Sequence, residues 1–195
     1  MIAALALTLD LGLGVSQGLT VADGFWYQKA LPHSTRMTSP AWRAGITVGD
    51  RWQVGAHYVD VGVSHMDAWG TSDANYDRFK HRVIKPPTSL DRFVGAGSPN
   101  GVSLTVERRA GAFVAGLGAY VYQPHWVETI DGTRYSNNPQ AWHVGPSVAI
   151  GWQHGPLSVR LDDYVTCLAN RCKSERTPGP WGSVLVLSIN YGVKR

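Results

Sequence analysis

The chain has 195 residues, a length typical of one domain, and 44% of them are apolar. Its 22 glycines, eight tryptophans and eight tyrosines are unusual for a helical protein, and its charged fraction of 16% lies below the roughly 25% of an ordinary soluble domain. No apolar run reaches the roughly 18 residues of a transmembrane helix, and a dispersed net charge of +4 argues against a nucleic-acid-binding surface.

The first apolar segment, LALTLDLGLGV at residues 5–15, alternates between apolar residues and small or polar ones. It could be the centre of a secretion signal or a β-strand. A signal peptide has a basic start and an uninterrupted apolar centre, whereas no Lys or Arg precedes Lys29 and Asp10 interrupts this segment; only TVA, before Asp23, resembles a cleavage site. We interpret the segment as the first strand, an interpretation that leaves no signal peptide among residues 1–22 and the export route unexplained.

The same alternation recurs in seven further segments. In WRAGITV, for example, Trp42, Ile46 and Val48 share one face and Arg43 and Thr47 the other. A period of two is typical of strands with one apolar face. We predict one domain, residues 1–195, with strands at about 3–16, 41–49, 52–63, 101–108, 112–122, 141–152, 157–166 and 181–193. The apolar parity slips after Tyr58, which predicts a β-bulge near Val59.

The connections between the predicted strands alternate in length. Short turns are expected at 49–51, 108–111 and 153–156, and long polar loops at about 17–40, 64–100, 123–140 and 167–180. This pattern predicts an all-β fold, an eight-stranded antiparallel up-and-down transmembrane β-barrel with short periplasmic turns and long external loops.

The alternation does not tell which face of the barrel points outward. A soluble ligand-binding barrel would turn its Leu and Val side chains inward, around a cavity. Aromatic residues at the strand ends favour the opposite arrangement, because Trp and Tyr concentrate at both membrane boundaries. Trp142 and Trp152 share one face and would stand about 25 Å apart along the barrel axis. We expect aromatic belts formed by Trp42, Trp52, Trp142, Trp152 and Tyr191.

Over essentially its whole length the eight-strand plan resembles the small outer-membrane barrels of the OmpA/OmpX type. The resemblance implies a location in the bacterial outer membrane and contact with its lipids and lipopolysaccharide. Many such barrels end on an aromatic residue, whereas this chain ends NYGVKR, with Tyr191 as the nearest aromatic. The stretches DGFWYQ, SDANYD and GSPNG are similar to segments of uncharacterised phage and prophage proteins.

The face opposite the apolar one carries charged residues of both signs on neighbouring strands. We expect them to fill the lumen as a network of ion pairs and hydrogen bonds, because an unpaired charge in a narrow barrel is costly. A small pore or gated network is the alternative, but eight strands leave an interior only wide enough for side chains. The predicted lumen network comprises Asp10, Arg43, His57, Glu107, His143, Arg160 and Asp162.

Enzymes of lipid A or phospholipid modification need a nucleophile beside a base. His33 next to Ser34, His65 next to Ser64, and His125 are candidates, but no specific signature surrounds them. We therefore expect no catalytic residues, and neither a cofactor nor a metal site is predicted because the seven histidines are scattered.

The predicted external loops hold two further features. Cys167 and Cys172 are expected to form a disulfide, with two free thiols as the alternative. Basic residues in the second long loop could contact lipopolysaccharide phosphates or form a solvated face; they are Arg78, Lys80, Arg82 and Lys85.

These observations predict a monomeric, non-enzymatic outer-membrane surface protein that acts through its external loops in adhesion, receptor masking or membrane stabilisation, with a surface protein as a candidate partner. A lipid A or phospholipid-modifying enzyme and a soluble ligand-binding barrel are the alternatives.

Overall fold

The computed structural model describes residues 7–20, 33–70, 76–77, 82–83, 91–130, 132–136, 141–166 and 181–194. No helix in this part of the chain is long and apolar enough to cross a membrane. The strands are β1 (Leu7–Thr20), β2 (His33–Arg36), β3 (Thr38–Gly49), β4 (Trp52–Asp60), β5 (Ser64–Gly70), β6 (Tyr76–Asp77), β7 (Arg82–Val83), β8 (Asp91–Ser98), β9 (Gly101–Ala110), β10 (Phe113–Tyr122), β11 (His125–Ile130), β12 (Thr133–Ser136), β13 (His143–His154), β14 (Leu157–Val165) and β15 (Trp181–Lys194).

Eight long strands close into an antiparallel barrel. Around the barrel their order is β1, β3, β4, β9, β10, β13, β14 and β15, and β15 pairs back onto β1 from Thr8–Lys194 to Thr20–Trp181. Each barrel strand therefore lies beside its neighbours in the chain, as in an up-and-down barrel. The prediction of an all-β, eight-stranded antiparallel barrel is confirmed.

Three tight hairpins lie at one end of the barrel, which we call the turn end. Two residues separate the strands in each hairpin, at 50–51, 111–112 and 155–156. Gly111 and Gly155 have φ angles of 64° and 58°, in the left-handed region that glycine adopts without a steric cost. The opposite end, where the predicted long loops begin, is the loop end.

Most predicted strand boundaries differ from the structure by one to four residues, and two of the differences change the interpretation. β1 runs to Thr20 instead of ending at residue 16, so the predicted loop 17–40 starts later. β4 ends at Asp60, and Val59 keeps a regular register with Arg43 and Gly101, so the parity slip is not a bulge near Val59. It marks the end of the strand, since Gly62 has a φ of 69° and its N–H donates to Asp60 Oδ1 at 2.8 Å.

The predicted long loops at 17–40, 64–100 and 123–140 contain strands of a second sheet. Its order is β12, β11, β8, β5 and β2. Four of these strands continue β10, β9, β4 and β3 after breaks of one to three residues, in the same lateral order. Half of the barrel wall therefore extends beyond the loop end as a separate sheet, and β6 pairs with β7 alone.

The second sheet packs over the mouth of the barrel. Trp126 on β11 meets Trp181 on β15 edge to face, with ring centroids 5.3 Å apart, and Trp181 Nε1 donates to Ser64 Oγ at 3.0 Å. Because β13 and β14 separate β10 from β15 around the barrel, these contacts cross the mouth. The buried apolar cluster at this level comprises Met37, Ala41, Val59, Val61, Met66, Tyr120, Tyr122, Trp126, Tyr164, Trp181, Val184 and Val186.

Candidate functional site

The two faces of the barrel wall differ sharply in polarity. Leu13, Leu117 and Ile189 point outward, and their exposed fractions are 66%, 68% and 63%. Other large apolar side chains around the wall are also exposed. Residues of the other parity point inward and are buried although polar; they are Ser16, Arg43, Gln53, His57, Ser103, Thr105, Glu107, Ser147, Arg160, Asp162, Ser188 and Asn190. The large apolar side chains therefore do not line the barrel interior, which contradicts the arrangement expected of a soluble ligand-binding barrel.

Arg160 lies at the centre of the interior. Its two terminal nitrogens each donate a 2.8 Å hydrogen bond to Glu107, and Nη2 also donates to Asp162 at 3.0 Å. Thr105 Oγ1 donates to the same Glu107 carboxylate at 2.9 Å. Bidentate pairing of a guanidinium with a carboxylate is strong and directional, so Arg160 joins β14 to β9 across the lumen.

One further ion pair extends this cluster, and a second group of polar contacts lies beside it. Arg43 Nη1 on β3 donates to Asp162 Oδ2 at 3.1 Å, so Asp162 binds both arginines. Toward the turn end, Asp10 Oδ2 accepts a 2.6 Å hydrogen bond from Thr47 Oγ1 and lies 3.2 Å from His57 Nε2. These contacts therefore bring together side chains from five of the eight barrel strands, β1, β3, β4, β9 and β14.

A small cavity lies beside this cluster. Its volume is about 40 Å³, and Arg43, Asp10, Gln53, Glu107 and Asn190 are among the residues that line it. A water molecule needs roughly 10–15 Å³ of such volume, so the cavity has room for about three waters and none for a lipid or a nucleotide. The interior is filled by its own side chains, which suits a structural plug better than a pore.

His143 also belongs to the predicted lumen network, but it lies apart from the other six residues. Its ring stacks on Tyr122 near the loop end, with centroids 5.5 Å apart. Sequence reasoning left Tyr120 and Tyr122 out of the lumen, although the alternation in β10 places Tyr120 on the inward face. Both hydroxyls donate 2.6 Å bonds to backbone oxygens, of Pro99 and Thr166 respectively. The lumen is therefore ionic toward the turn end and aromatic toward the loop end.

The predicted belt aromatics lie on the outer face, near both ends. Trp52, Trp152 and Tyr191 are close to the turn end, with exposures of 61%, 47% and 54%. Trp42 and Trp142 lie toward the loop end, where Trp42 also contacts Tyr58 at 5.2 Å between ring centroids. Phe113, 69% exposed beside Trp152, adds a turn-end aromatic that the prediction did not name.

No family model matches the chain. No curated protein matches it significantly by sequence. Among solved structures, the crystal structure of Neisserial surface protein A (NspA) aligns with 98% of this chain and 97% of its own, at 10% identity and a TM-score of 0.39. At this identity and TM-score, the similarity does not indicate a function for this chain.

All five candidate catalytic residues lie on strands of the second sheet. Ser34 and His65 lie on adjacent strands and both line a concave surface of about 360 Å³, but no hydrogen bond joins their side chains in the described part of the chain. Ser64 accepts the indole N–H of Trp181 and faces the core. Asp67, opposite Ser34, is held instead by Arg92. His125 is exposed, and the side chain of His33 is not described.

Several predicted loop features lie outside the described residues. These are Cys167, Cys172, Arg78, Lys80 and Lys85; Arg82 begins β7, but its side chain is not described. The disulfide and the anion contact stay predictions. Among the described residues, no group of three or more His, Cys, Asp or Glu side chains could hold a metal ion.

Proposed function

We propose that this chain is a monomeric, non-enzymatic surface protein that spans the bacterial outer membrane as a β-barrel. The observation that carries the proposal is the polarity of the closed wall, with large apolar side chains outside and an ion cluster inside. Closure pairs the strands along the wall, which a membrane requires because lipid offers no hydrogen bonds. Exposed Trp and Tyr near both ends suit the two membrane boundaries.

The second sheet is the part that would act at the cell surface. With the tight hairpins in the periplasm, the sheet projects outward from the loop end. Its outer face combines charged residues, Arg36, Asp67 and Arg92, with the apolar Trp69 and Val94. A mixed face of this kind suits contact with a protein partner, as in adhesion or receptor masking.

Membrane residence is tested by expressing the chain with an outer-membrane export signal and fractionating the cells. We expect it in the outer-membrane fraction, soluble only in detergent, with faster gel migration unheated than boiled. Recovery as a folded protein in buffer without detergent would contradict the proposal.

Orientation is tested with a short epitope inserted at Gly132, in the β11–β12 turn, or at Gly111, in the β9–β10 hairpin. Both glycines are exposed and have positive φ angles, so the two insertions are matched. Antibody should label intact cells only for the Gly132 insertion. If intact cells were labelled only for the Gly111 insertion, the tight hairpins would face the cell exterior and the proposed orientation would be wrong.

The non-enzymatic part is tested by Ser34→Ala combined with His65→Ala. Cells that express the wild type or the double variant should have the same lipid A and phospholipid profiles as cells without the protein. A modified lipid that disappears in the double variant would establish the enzyme alternative.

A further inference from the structure

A basic cluster lies at the rim of the turn end, around the hairpins that join β3 to β4 and β9 to β10. Arg51, Arg108 and Arg109 line a concave surface of about 430 Å³, where Asp50 is the one acidic residue among those that line it. The backbone N–H of Arg109 donates to the backbone carbonyl of Arg51 at 2.8 Å, which fixes the spacing between the two residues. None of the three arginines forms an ion pair within the described residues. Arg109 Nε donates to the Gly111 carbonyl at 3.0 Å, which leaves its terminal nitrogens, together with the guanidinium groups of Arg51 and Arg108, available for an anion.

Arg108 links this cluster to the lipid-facing wall. It pairs across the strands with Trp52, and its guanidinium carbon lies 5.6 Å from the centre of the Trp52 ring. Trp52 is exposed and belongs to the turn-end aromatics, which mark the membrane boundary in the proposed function. The positive charge thus stands at the depth of lipid phosphates.

An apolar groove of about 380 Å³ begins one outward position further along the same two strands. Val54 pairs with Val106, and Ala56 pairs with Leu104. The small side chain of Ala56 leaves a depression between larger neighbours, which include Ile46, Val54, Leu104, Val106 and Leu117. Two residues along a strand advance about 7 Å, so the groove starts close to the basic cluster.

We propose that the arginine cluster and the groove together bind one glycerophospholipid with an anionic head group, from the inner leaflet of the membrane. The phosphate would accept charge-assisted hydrogen bonds from the arginines, and an acyl chain would lie in the groove beside Trp52. This inference rests on the proposed membrane location. Charge complementarity and the alignment of the two sites on β4 and β9 support a lipid as the occupant, and a free phosphate would use only the cluster.

Native mass spectrometry of the detergent-purified protein tests the inference, with phosphatidylglycerol, phosphatidylcholine and inorganic phosphate as probes. We expect one phosphatidylglycerol to bind more tightly than phosphatidylcholine, and much more tightly than phosphate. Replacing all three arginines, R51Q/R108Q/R109Q, should weaken phosphatidylglycerol binding at least about tenfold. Arg36→Gln with Arg134→Gln, at the opposite end, is the control and should leave binding unchanged.

The groove is tested separately by Ala56→Leu, an outward substitution that fills the depression and keeps every charge. It should weaken long-chain phosphatidylglycerol and leave the dihexanoyl form unaffected, whereas Val159→Leu on β14 should change neither. Unchanged lipid binding in both the triple variant and Ala56→Leu would overturn the inference, as would phosphate binding as tightly as the lipid. A protein that stays in buffer without detergent would instead refute the membrane location.

Discussion

Arg160 on β14 holds Glu107 on β9 through two parallel hydrogen bonds of 2.8 Å across the barrel interior. The two side chains are only 10% and 4% exposed, so neither charge has bulk water as an alternative partner. This pair and the Arg43–Asp162 pair connect opposite parts of the wall. The stability of the barrel should therefore depend strongly on each partner.

Arg160→Ala should lower the free energy of unfolding by about 3–5 kcal/mol, because it leaves Glu107 as an uncompensated buried charge. Urea unfolding in detergent micelles, followed by the gel shift of the folded barrel, measures the change. Arg92→Ala is the control at a solvent-exposed pair and should cost much less than Arg160→Ala, because water and salt screen the exposed charges. Equal losses in the two variants would show that burial does not set the strength of the Arg160 pair.

Leu13→Arg should destabilise the protein in a bilayer, because it places a charge on the wall that we propose faces lipid. The loss should be less than the roughly 2–4 kcal/mol expected at the midplane, because Leu13 pairs with Trp42, one of the predicted belt aromatics. Leu13 is 66% exposed, so the same change on a soluble barrel would be nearly neutral. Folding into liposomes at increasing urea concentration provides the measurement. Val94→Arg, at an exposed apolar position of the second sheet, is the control; if it costs as much as Leu13→Arg, the wall is not lipid-facing.

Trp181→Ala should cost about 3–5 kcal/mol, since it leaves a cavity beneath the second sheet and removes the ring contact with Trp126. Trp181→Phe keeps most of the bulk but loses the bond to Ser64, so a smaller loss is expected. Thermal unfolding and limited proteolysis of the second sheet are the readouts. If Trp181→Ala leaves both unchanged, the sheet does not depend on packing over the mouth.

Arg92 lowers the pKa of the Asp67 carboxyl below its ordinary value, mainly through the hydrogen bonds that it donates. A lowered folded pKa means that the pair stabilises the sheet above the ordinary pKa of Asp67, and that this contribution is lost as pH falls through the lowered value. In NMR titrations, the Asp67 carboxyl should titrate at higher pH in Arg92→Gln than in the wild type. Identical titration curves would mean that the pair does not persist in solution.

Much of the barrel could be predicted because strand alternation is a local property. A period of two places residues on one face whatever they later contact, so Asp10, Arg43 and Glu107 could be assigned to the polar face before any pairing was known. The second sheet was missed for the converse reason. Gly95 and Gly97 weaken the pattern in β8, and they are required there because Trp126 packs against both positions.

The sequence by itself determined the number of barrel strands, the tight hairpins and the membership of the two faces, since each follows from residues close together in the chain. The tertiary structure decided which face points outward, which charges meet and what closes the mouth. Arg160 and Glu107 are 53 residues apart, and Trp181 and Ser64 are 117 apart. Contacts at such separations follow from the register and closure of the whole barrel, which no single segment encodes.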